Sequence, residues 1–580
     1  MSERLLFLIP ARGGSKGLPG KNVLEVGGIP LVGRAARLGC ATARVVGPGS
    51  RVVCSTDDSA IADAARAWGA EVPFVRPASL SSDSARSIDV VFHALDVLGE
   101  EFAAVVLLQP TSPLTAVEDV AGAIDLHRRM SLPVVSVCAA EHPAEWLFTV
   151  NERGELTRLL QDVDLPAQRQ DARRSYRVNG AVYVSSPASL RRDHSFLGPE
   201  TRAYEMPNDR SVDIDSVNDL QMARAWLASR PIPPVTVASH SIGAAHRCFV
   251  IAEAGVNHNG DLAVARALVD AAVAAGANAV KFQTFRAERL VTLEAPKAEY
   301  QQRTTGSGES QFAMLKRLEL SEPHHRDLMA YCQAQGIVFL STPFDESSAD
   351  FLETLGVPAF KLPSGEITNL PFLEHVARKG RPIILSTGMA TLAEVAHAVD
   401  AVRQEGNREL VLLHCVSNYP AEPADANLRA MATLRDAFGT LAGFSDHSMG
   451  DAIALASVAL GASVVEKHLT LDRTLPGPDH QASMEPDAFR EMVRRIRDVE
   501  AGLGSGAKHP VAREAAVARV ARKSLVAGRA IPAGTILGPE MIVIRRPGTG
   551  LAPDQLASVI GKRTVVDVPA GTLLTREMLA

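Results

Sequence analysis

The sequence predicts an α/β protein of three consecutive units: an open α/β sheet domain, a (β/α)8 barrel and a small β-rich unit. Three observations predict it. Residues 5–229 alternate short apolar strands with helical patterns, and eight further strand segments, most followed by a helical pattern, begin at Phe249. The last sixty or so residues hold short strands around two matching phrases, RAIPAGTIL and VDVPAGTLL. A chain of 580 residues also exceeds what one core usually serves, since domains run to about 100–200 residues.

In the first unit, LLFLIP, RVVCST, AAVVLLQP and LPVVSVCA read as strands, with helices starting near Leu31 and Ala60. This alternation is that of a largely parallel sheet. The stretch 230–245, RPIPPVTVASHSIGAA, has no clear periodicity and reads as the linker between domains 1–229 and 246–505. The barrel strands are FVIAEAG, AVKFQTF, IVFLSTPF, AFKLPSG, PIILSTG, LVLLHCVS, LAGFSDHS and SVVEKHLTL, with a long insertion between the second and third. A glycine-rich break, GLGSGAKHP, opens a second linker, 506–520, ahead of the terminal unit at 521–580.

Composition bounds the function. With 46% hydrophobic residues, 22% charged residues and a net charge of −6, the chain is an ordinary globular protein, which excludes a disordered or nucleic-acid-coating one. Any anion site must therefore be local. The longest small apolar stretch, 452–465, is too short to span a bilayer, and the run 5–9 is too short for a signal-peptide core, so a cytoplasmic location without membrane attachment is expected. The six cysteines are scattered and form no C-x-x-C pair, which reads as reduced thiols.

The first strand runs into ARGGSKGLPGKN, where glycines let backbone N–H groups approach phosphate oxygens and Arg12, Lys16 and Lys21 offset their charge. The spacing misses the G-x-x-x-x-G-K-[ST] loop, which disfavours a kinase or ATPase. LLQPTSPL ends another strand with polar groups suited to a base or sugar. SVDIDS is read as a strand placing Asp213 and Asp215 on one face, where two carboxylates can share a divalent cation.

These motifs, with STDD at 55–58, SLSSDSARS at 79–87 and RVNGAVY at 177–183, resemble the cytidine-monophosphate sialic acid synthetases over residues 5–226. The resemblance implies a Rossmann-like nucleotidyltransferase sheet in which Arg12, Lys16, Lys21 and Asn22 hold CTP, with Arg12 and Lys21 counted as catalytic. Ser82, Gln109, Arg177 and Asn179 would line the nucleotide and sugar site, and Asp213 and Asp215 would bind Mg²⁺. The sugar's anomeric hydroxyl would attack the α-phosphorus and expel pyrophosphate.

Chemistry in a (β/α)8 barrel sits at the C-terminal strand ends. There the sequence places Glu253, Lys281, Gln283, Thr342, Lys361, Ser364, Glu366, Ser386, Ser417, Tyr419, Ser445, His447, Glu466 and His468. Two lysines among serines suit a phosphorylated, carboxylated substrate. His447 and His468, at the ends of consecutive strands, can reach one metal.

The motifs IAEAGVNHNGD, STPFD, KLPSGEI, LSTGM, LLHCVSNYP, GFSDHS and EKHLTLDRTLPGPDH resemble the bacterial sialic acid synthases from about residue 248 to the end. That likeness implies condensation of phosphoenolpyruvate with an N-acyl hexosamine to a nonulosonic acid. It assigns Lys281, Lys361, Ser364, Ser386 and Ser445 to phosphoenolpyruvate, and Gln283, Thr342, Glu366 and Asp479 to the acceptor sugar. His447 and His468 would hold a Mn²⁺-type metal, and Glu253 would act as acid/base or orient sugar or water. Ser417 stands where some members carry asparagine. The terminal unit, with RRPGTGL at 545–551, resembles the antifreeze-like (SAF) module, which in that family reaches across a homodimer and presents an arginine, here Arg546, to the acyl group. Rival readings are the same chemistry on legionaminic or pseudaminic acid precursors, an eight-carbon sugar pathway, and a sugar-binding scaffold with inactive domains.

Overall fold

The computed structural model describes residues 4–580 except Lys16, Pro48, Asp83, 161–167 and Ser307. Its contacts divide the chain into two compact units, residues 1–501 and 502–580. The two expected domains 1–229 and 246–505 thus pack as a single body up to residue 501.

The N-terminal sheet has strands β1 (Leu5–Pro10), β2 (Arg51–Ser55), β3 (Ala104–Leu108), β4 (Val134–Ala139), β5 (Tyr176–Ser185) and β6 (Arg202–Glu205). Their order is β6-β4-β5-β3-β1-β2. Only β5 runs antiparallel to its neighbours, so the sheet is largely parallel as the alternation predicts. The fully buried runs Leu6–Ile9 and Val105–Val106 explain why these strands read as continuous apolar segments. The chain leaves β1 for β2 on one side and then crosses to β3 on the other, which makes the C-terminal ends of β1 and β3 the switch point where such sheets bind ligands.

The barrel strands are β7 (Phe249–Gly255), β8 (Ala279–Thr284), β9 (Val338–Pro343), β10 (Phe360–Leu362), β11 (Ile383–Ser386), β12 (Leu410–Cys415), β13 (Leu441–Asp446) and β14 (Val464–His468). All recorded pairings are parallel, in the order β9-β8-β7-β14-β13-β12-β11-β10. Capping sets the intervening helices. At Leu392–Gln404 the Thr391 hydroxyl accepts the Glu394 N–H while Glu394 accepts the Thr391 N–H at 2.7 Å, a reciprocal cap that stabilises a helix start by about 1 kcal/mol. The long insertion after β8 folds as three short helices, Ala287–Leu290, Glu299–Thr305 and Gln311–Leu318.

The expected linker 230–245 proves to be structured. Val235–Val237 and His240–Ile242 form an antiparallel hairpin. Val235, Val237 and Ile242 are buried with Phe249, Ile251, Leu340, Ile384 and Val411, which seals the N-terminal end of the barrel. The inward apolar residues are only three and are split by a turn, too few to produce a periodic signal.

Residues 506–520 are likewise not simply a linker, because Glu514–Ala521 is helical. In the terminal unit, Ser524–Ala527 pairs antiparallel with Ile542–Arg545. The two matching phrases face each other: Ile531 and Val568, which occupy the same place in each, exchange both backbone hydrogen bonds at 2.8 Å. Gly534 and Gly571 share φ values of 80° and 83°, a left-handed turn that glycine adopts without strain. Leu537 and Leu574 both enter the core. The repeated phrase therefore corresponds to a local pseudo-twofold.

Candidate active sites

Loops after β1, β2 and β3 build the N-terminal rim. The glycine-rich turn is held by the Asn22 side chain, which donates to the Arg12 carbonyl at 2.9 Å, and by Gly13 N–H, which donates to Asp57 at 3.1 Å. A Cβ on Gly13 would stand 2.9 Å from an Asp58 oxygen, so a larger residue would force the loop or the Asp58 side chain of the β2 acidic turn to shift. Lys21 Nζ pairs with Asp215 at 3.1 Å. The segment 211–215 forms no strand, which corrects the reading of SVDIDS. It is tied instead to the β3 loop through Ile214 N–H donating to the Thr111 carbonyl. Burial, with Asp215 nearby, raises the Asp213 carboxyl above its usual range, against the pull of Thr111, Lys21 and Arg177. The carboxylates of Asp213, whose charge burial disfavours, and Asp215 are hard oxygen donors of the type that fits a divalent cation.

Other predicted residues of this rim divide. Arg177 donates to the Ser211 carbonyl at 3.1 Å beside the acidic segment. Asn179 is buried, accepting from Ser136 at 2.6 Å and donating to Ser211 at 2.9 Å, so its amide braces β5 instead of facing a ligand. Ser82 is exposed and bonded within its own turn, and Gln109 is half-buried at the end of β3. Lys16 lies outside the described residues.

The barrel rim is denser. A cavity of about 330 Å³ is lined by Glu253, Lys281, Gln283, Thr342, Lys361, Ser364, Ser386, Ser445, His447, His468 and Asp479, so these predicted residues meet in one place. Lys281 Nζ lies 2.5 Å from Glu253 and 3.7 Å from Glu466, and donates to Thr342 at 3.1 Å. Lys361 Nζ is 3.4 Å from Glu466, which also accepts from Ser445 at 2.8 Å. Two cations thus face two carboxylates, all buried. Burial pushes Glu253 up to about 7 despite Lys281, whereas at Glu466 the ammonium groups of Lys281 and Lys361 overcome burial and hold the carboxyl down to about 2. Glu466 is thus the more firmly ionised carboxylate of the two and Glu253 the more readily protonated.

His447 Nδ1 bonds the Val416 carbonyl at 2.6 Å, fixing the tautomer with its lone pair on Nε2. The His468 ring centroid is 5.5 Å away, and its Nδ1 is buried without a hydrogen-bond partner. Burial lowers both imidazole pKa values, so both rings are neutral. A buried unpartnered ring nitrogen beside a second neutral imidazole fits a metal ion, although no cluster of three or more His, Cys, Asp or Glu occurs among the described residues. Behind them, strand alternation turns Asp446 and Lys467 away from the cavity, where they pair at 2.7 Å and lock the ends of β13 and β14 together.

Two of the expected site residues fall elsewhere. Glu366 does not line the cavity: half-buried on the turn after β10, it accepts from Asn369 at 2.7 Å. Arg546 belongs to the second compact unit, exposed just beyond the strand Ile542–Arg545. The sequence reading assigned no role to Glu466 or Tyr419. Yet Glu466 bridges both lysines, and the Tyr419 ring stacks 4.2 Å from His447. It noted the long insertion but not that Leu290, Val291, Met314, Leu315 and Leu318 from it form an apolar wall with Phe344.

Residues 268–508 match the NeuB family model. N,N'-diacetyllegionaminic acid synthase of Legionella pneumophila is 49% identical over 339 residues, covering 58% of this chain and 95% of that protein. The chain belongs to the NeuB family. Its N-terminal part, residues 6–174, matches the cytidylyltransferase model, and residues 522–580 match the SAF domain, so a NeuB-type synthase domain here follows a cytidylyltransferase domain in one polypeptide. A second N,N'-diacetyllegionaminic acid synthase, from Campylobacter jejuni, is 44% identical over 318 residues, 54% of this chain and 95% of that one. The solved N-acetylneuraminic acid synthetase of Leptospira borgpetersenii is 36% identical over 49% of this chain and 94% of its own, with a TM-score of 0.44. No helix of the described NeuB-family chain is long and apolar enough to cross a membrane.

Proposed function

We propose that the barrel condenses phosphoenolpyruvate with a 2,4-diacetamido-6-deoxy hexose to a legionaminic-type nonulosonic acid, and that the N-terminal domain couples this acid to CMP. The observation that carries the reading is the convergence of Lys281, Lys361, Ser386 and Ser445 in one cavity with two neutral imidazoles and an apolar wall. The lysines and serines offer donors to a phosphate and a carboxylate. The wall from the insertion suits an acceptor carbon that bears a methyl group instead of a hydroxyl. The names of the 49% and 44% identical relatives agree with that choice of sugar over N-acetylmannosamine.

In the reaction, C3 of phosphoenolpyruvate attacks the open-chain aldehyde carbon, and the aldehyde oxygen takes up a proton. Water adds at C2, and cleavage of the C2–O bond releases phosphate. Glu253, poised near neutrality, holds the proton at the site of attack. Gln283, whose amide lies 3.5 Å from Glu253, and Asp479 orient the acceptor. His447 and His468 would hold a Mn²⁺-type ion, which supplies Lewis acidity toward the aldehyde. In the other domain Arg12, Lys21 and Asn22 position the triphosphate of CTP, and Asp213 and Asp215 would hold Mg²⁺. The anomeric hydroxyl displaces pyrophosphate there.

Phosphate release measured with phosphoenolpyruvate, Mn²⁺ and a panel of hexosamines tests the barrel, and CTP-dependent pyrophosphate release from the product tests the other domain. Fastest turnover is expected with the 2,4-diacetamido-6-deoxy hexose. Equal or faster turnover of N-acetylmannosamine overturns the sugar assignment, and no phosphate from any acceptor overturns the synthase reading.

A further inference from the structure

Behind the loop that follows β3, helix Leu31–Val46 of the N-terminal domain faces barrel helices Leu392–Gln404 and Ala430–Phe438 around a cavity of about 470 Å³. Its cationic lining is Arg34, Arg37, Arg230, Arg403 and Arg408. The available acids do not balance them. Asp400 is engaged by Arg37 through two bonds of 2.6 and 3.0 Å, Asp436 is paired with Arg435 at 2.8 Å, and Glu118 is exposed. Arg34 spends Nε on the Val26 carbonyl, and although Asp436 attracts its charge, its Nη2 is buried with no hydrogen-bond partner among the described residues. Among the described residues Arg403 makes one hydrogen bond, to the Phe438 carbonyl at 2.6 Å, and Asp400 is its nearby attracting charge. The Arg230 and Arg408 side chains are exposed and form no hydrogen bond or ion pair among the described residues. Burial and the neighbouring guanidinium groups of Arg37 and Arg230 hold Arg34 down to about 9, and burial and Arg37 hold Arg403 down to about 10. Crowded, partly desolvated cations with spare donors are costly unless an anion completes them.

The remaining wall is apolar, with Ile29, Leu38, Leu114 and Phe438, and the Arg37 guanidinium lies 5.1 Å over the Phe438 ring. An arginine cluster beside an apolar wall suits a phosphate attached to an organic group. We propose that this junction between the two enzyme domains is an effector site for a phosphate-bearing small molecule, with the phosphate on Arg34, Arg230, Arg403 and Arg408. The cavity has a route to chemistry. Pro113 to Ala116 line it, and two residues earlier in the same loop the Thr111 carbonyl anchors the segment that carries Asp213 and Asp215. Occupancy therefore alters the rate of cytidylyl transfer.

The test is equilibrium binding of CMP, pyrophosphate and phosphoenolpyruvate to the full chain carrying Lys21→Ala, which weakens the phosphate loop, with and without Arg230→Ala/Arg408→Ala. Both junction arginines are exposed, so the fold is preserved. The double substitution is expected to weaken binding of at least one probe tenfold or more, and the probe lost names the source: nucleotide, inorganic phosphate group or barrel substrate. Arg34→Met should produce the same loss. In the chain with Lys21 intact, that probe should change the CTP turnover rate, and the double variant should abolish the change while keeping the basal rate. Unchanged binding of all three probes on removing Arg230 and Arg408, or binding without any effect on turnover, overturns the proposal.

Discussion

Lys281 Nζ lies 2.5 Å from Glu253 at the centre of the barrel rim, with both side chains almost wholly buried. Such a pair is held by mutual attraction that must offset two desolvation costs, so removing one partner leaves a buried charge uncompensated. Lys281→Met should lower unfolding stability in urea by about 3–5 kcal/mol. Glu253→Gln keeps the shape and should instead cut synthase turnover about 10²–10⁴-fold. Cytidylyl transfer to supplied sugar acid should be unchanged in both, and its loss in the folded Glu253→Gln protein would break the assignment of the two activities to separate sites.

Asp479 provides a pH test. Burial raises its carboxyl to about 6 in the folded chain, against an unfolded value near 3.9. Between these values the folded state binds the extra proton, so the stability this group contributes is fully present below about pH 4 and is lost as pH rises through 6. The gap of about 2 pH units corresponds to roughly 3 kcal/mol. Asp479→Asn should therefore lose less stability than the parent between pH 4 and pH 8 in urea unfolding. Parallel pH profiles would show that the carboxyl is not desolvated.

Gly13 tests the phosphate loop. The alanine Cβ would meet Asp58 at 2.9 Å, so Gly13→Ala must displace either the loop or the β2 acidic turn. Cytidylyl turnover should fall at least about tenfold, in line with the sensitivity of reacting groups to displacements near 1 Å. Phosphate release at the barrel should persist. An unaltered CTP reaction would mean that the loop does not seat the triphosphate.

What could be read in advance follows from periodicity and reach. All eight barrel strands were legible because each is an apolar run ending in polar residues, and twelve of the predicted rim residues meet in one cavity because strand ends or the residues just after them place them there, with Asp479 joining from the loop after β14. Glu366 and Asn179 are placed apart from the cavities for the opposite reason. Each sits within a recognisable motif, but a local partner, Asn369 for one and Ser136 with Ser211 for the other, captures the side chain. The role of Glu466 depends on two lysines from β8 and β10, on other strands far along the chain, and the apolar wall comes from an insertion whose helices are too short for a clear pattern.

The hairpin beneath the barrel yields the last prediction. Ile242 is fully buried among Phe249, Ile251 and their neighbours, at the ends of the strands opposite the catalytic rim. Truncating a buried isoleucine removes its transfer free energy and leaves a cavity that rigid strands cannot fill, a cost of about 2–5 kcal/mol. Ile242→Ala should lower the midpoint of thermal unfolding clearly while leaving phosphate release at low temperature close to the parent rate, because no rim residue moves. If the segment were only a tether between domains, the same substitution would leave stability within about 0.5 kcal/mol of the parent, as surface changes do. Calorimetry of the full chain separates the two outcomes.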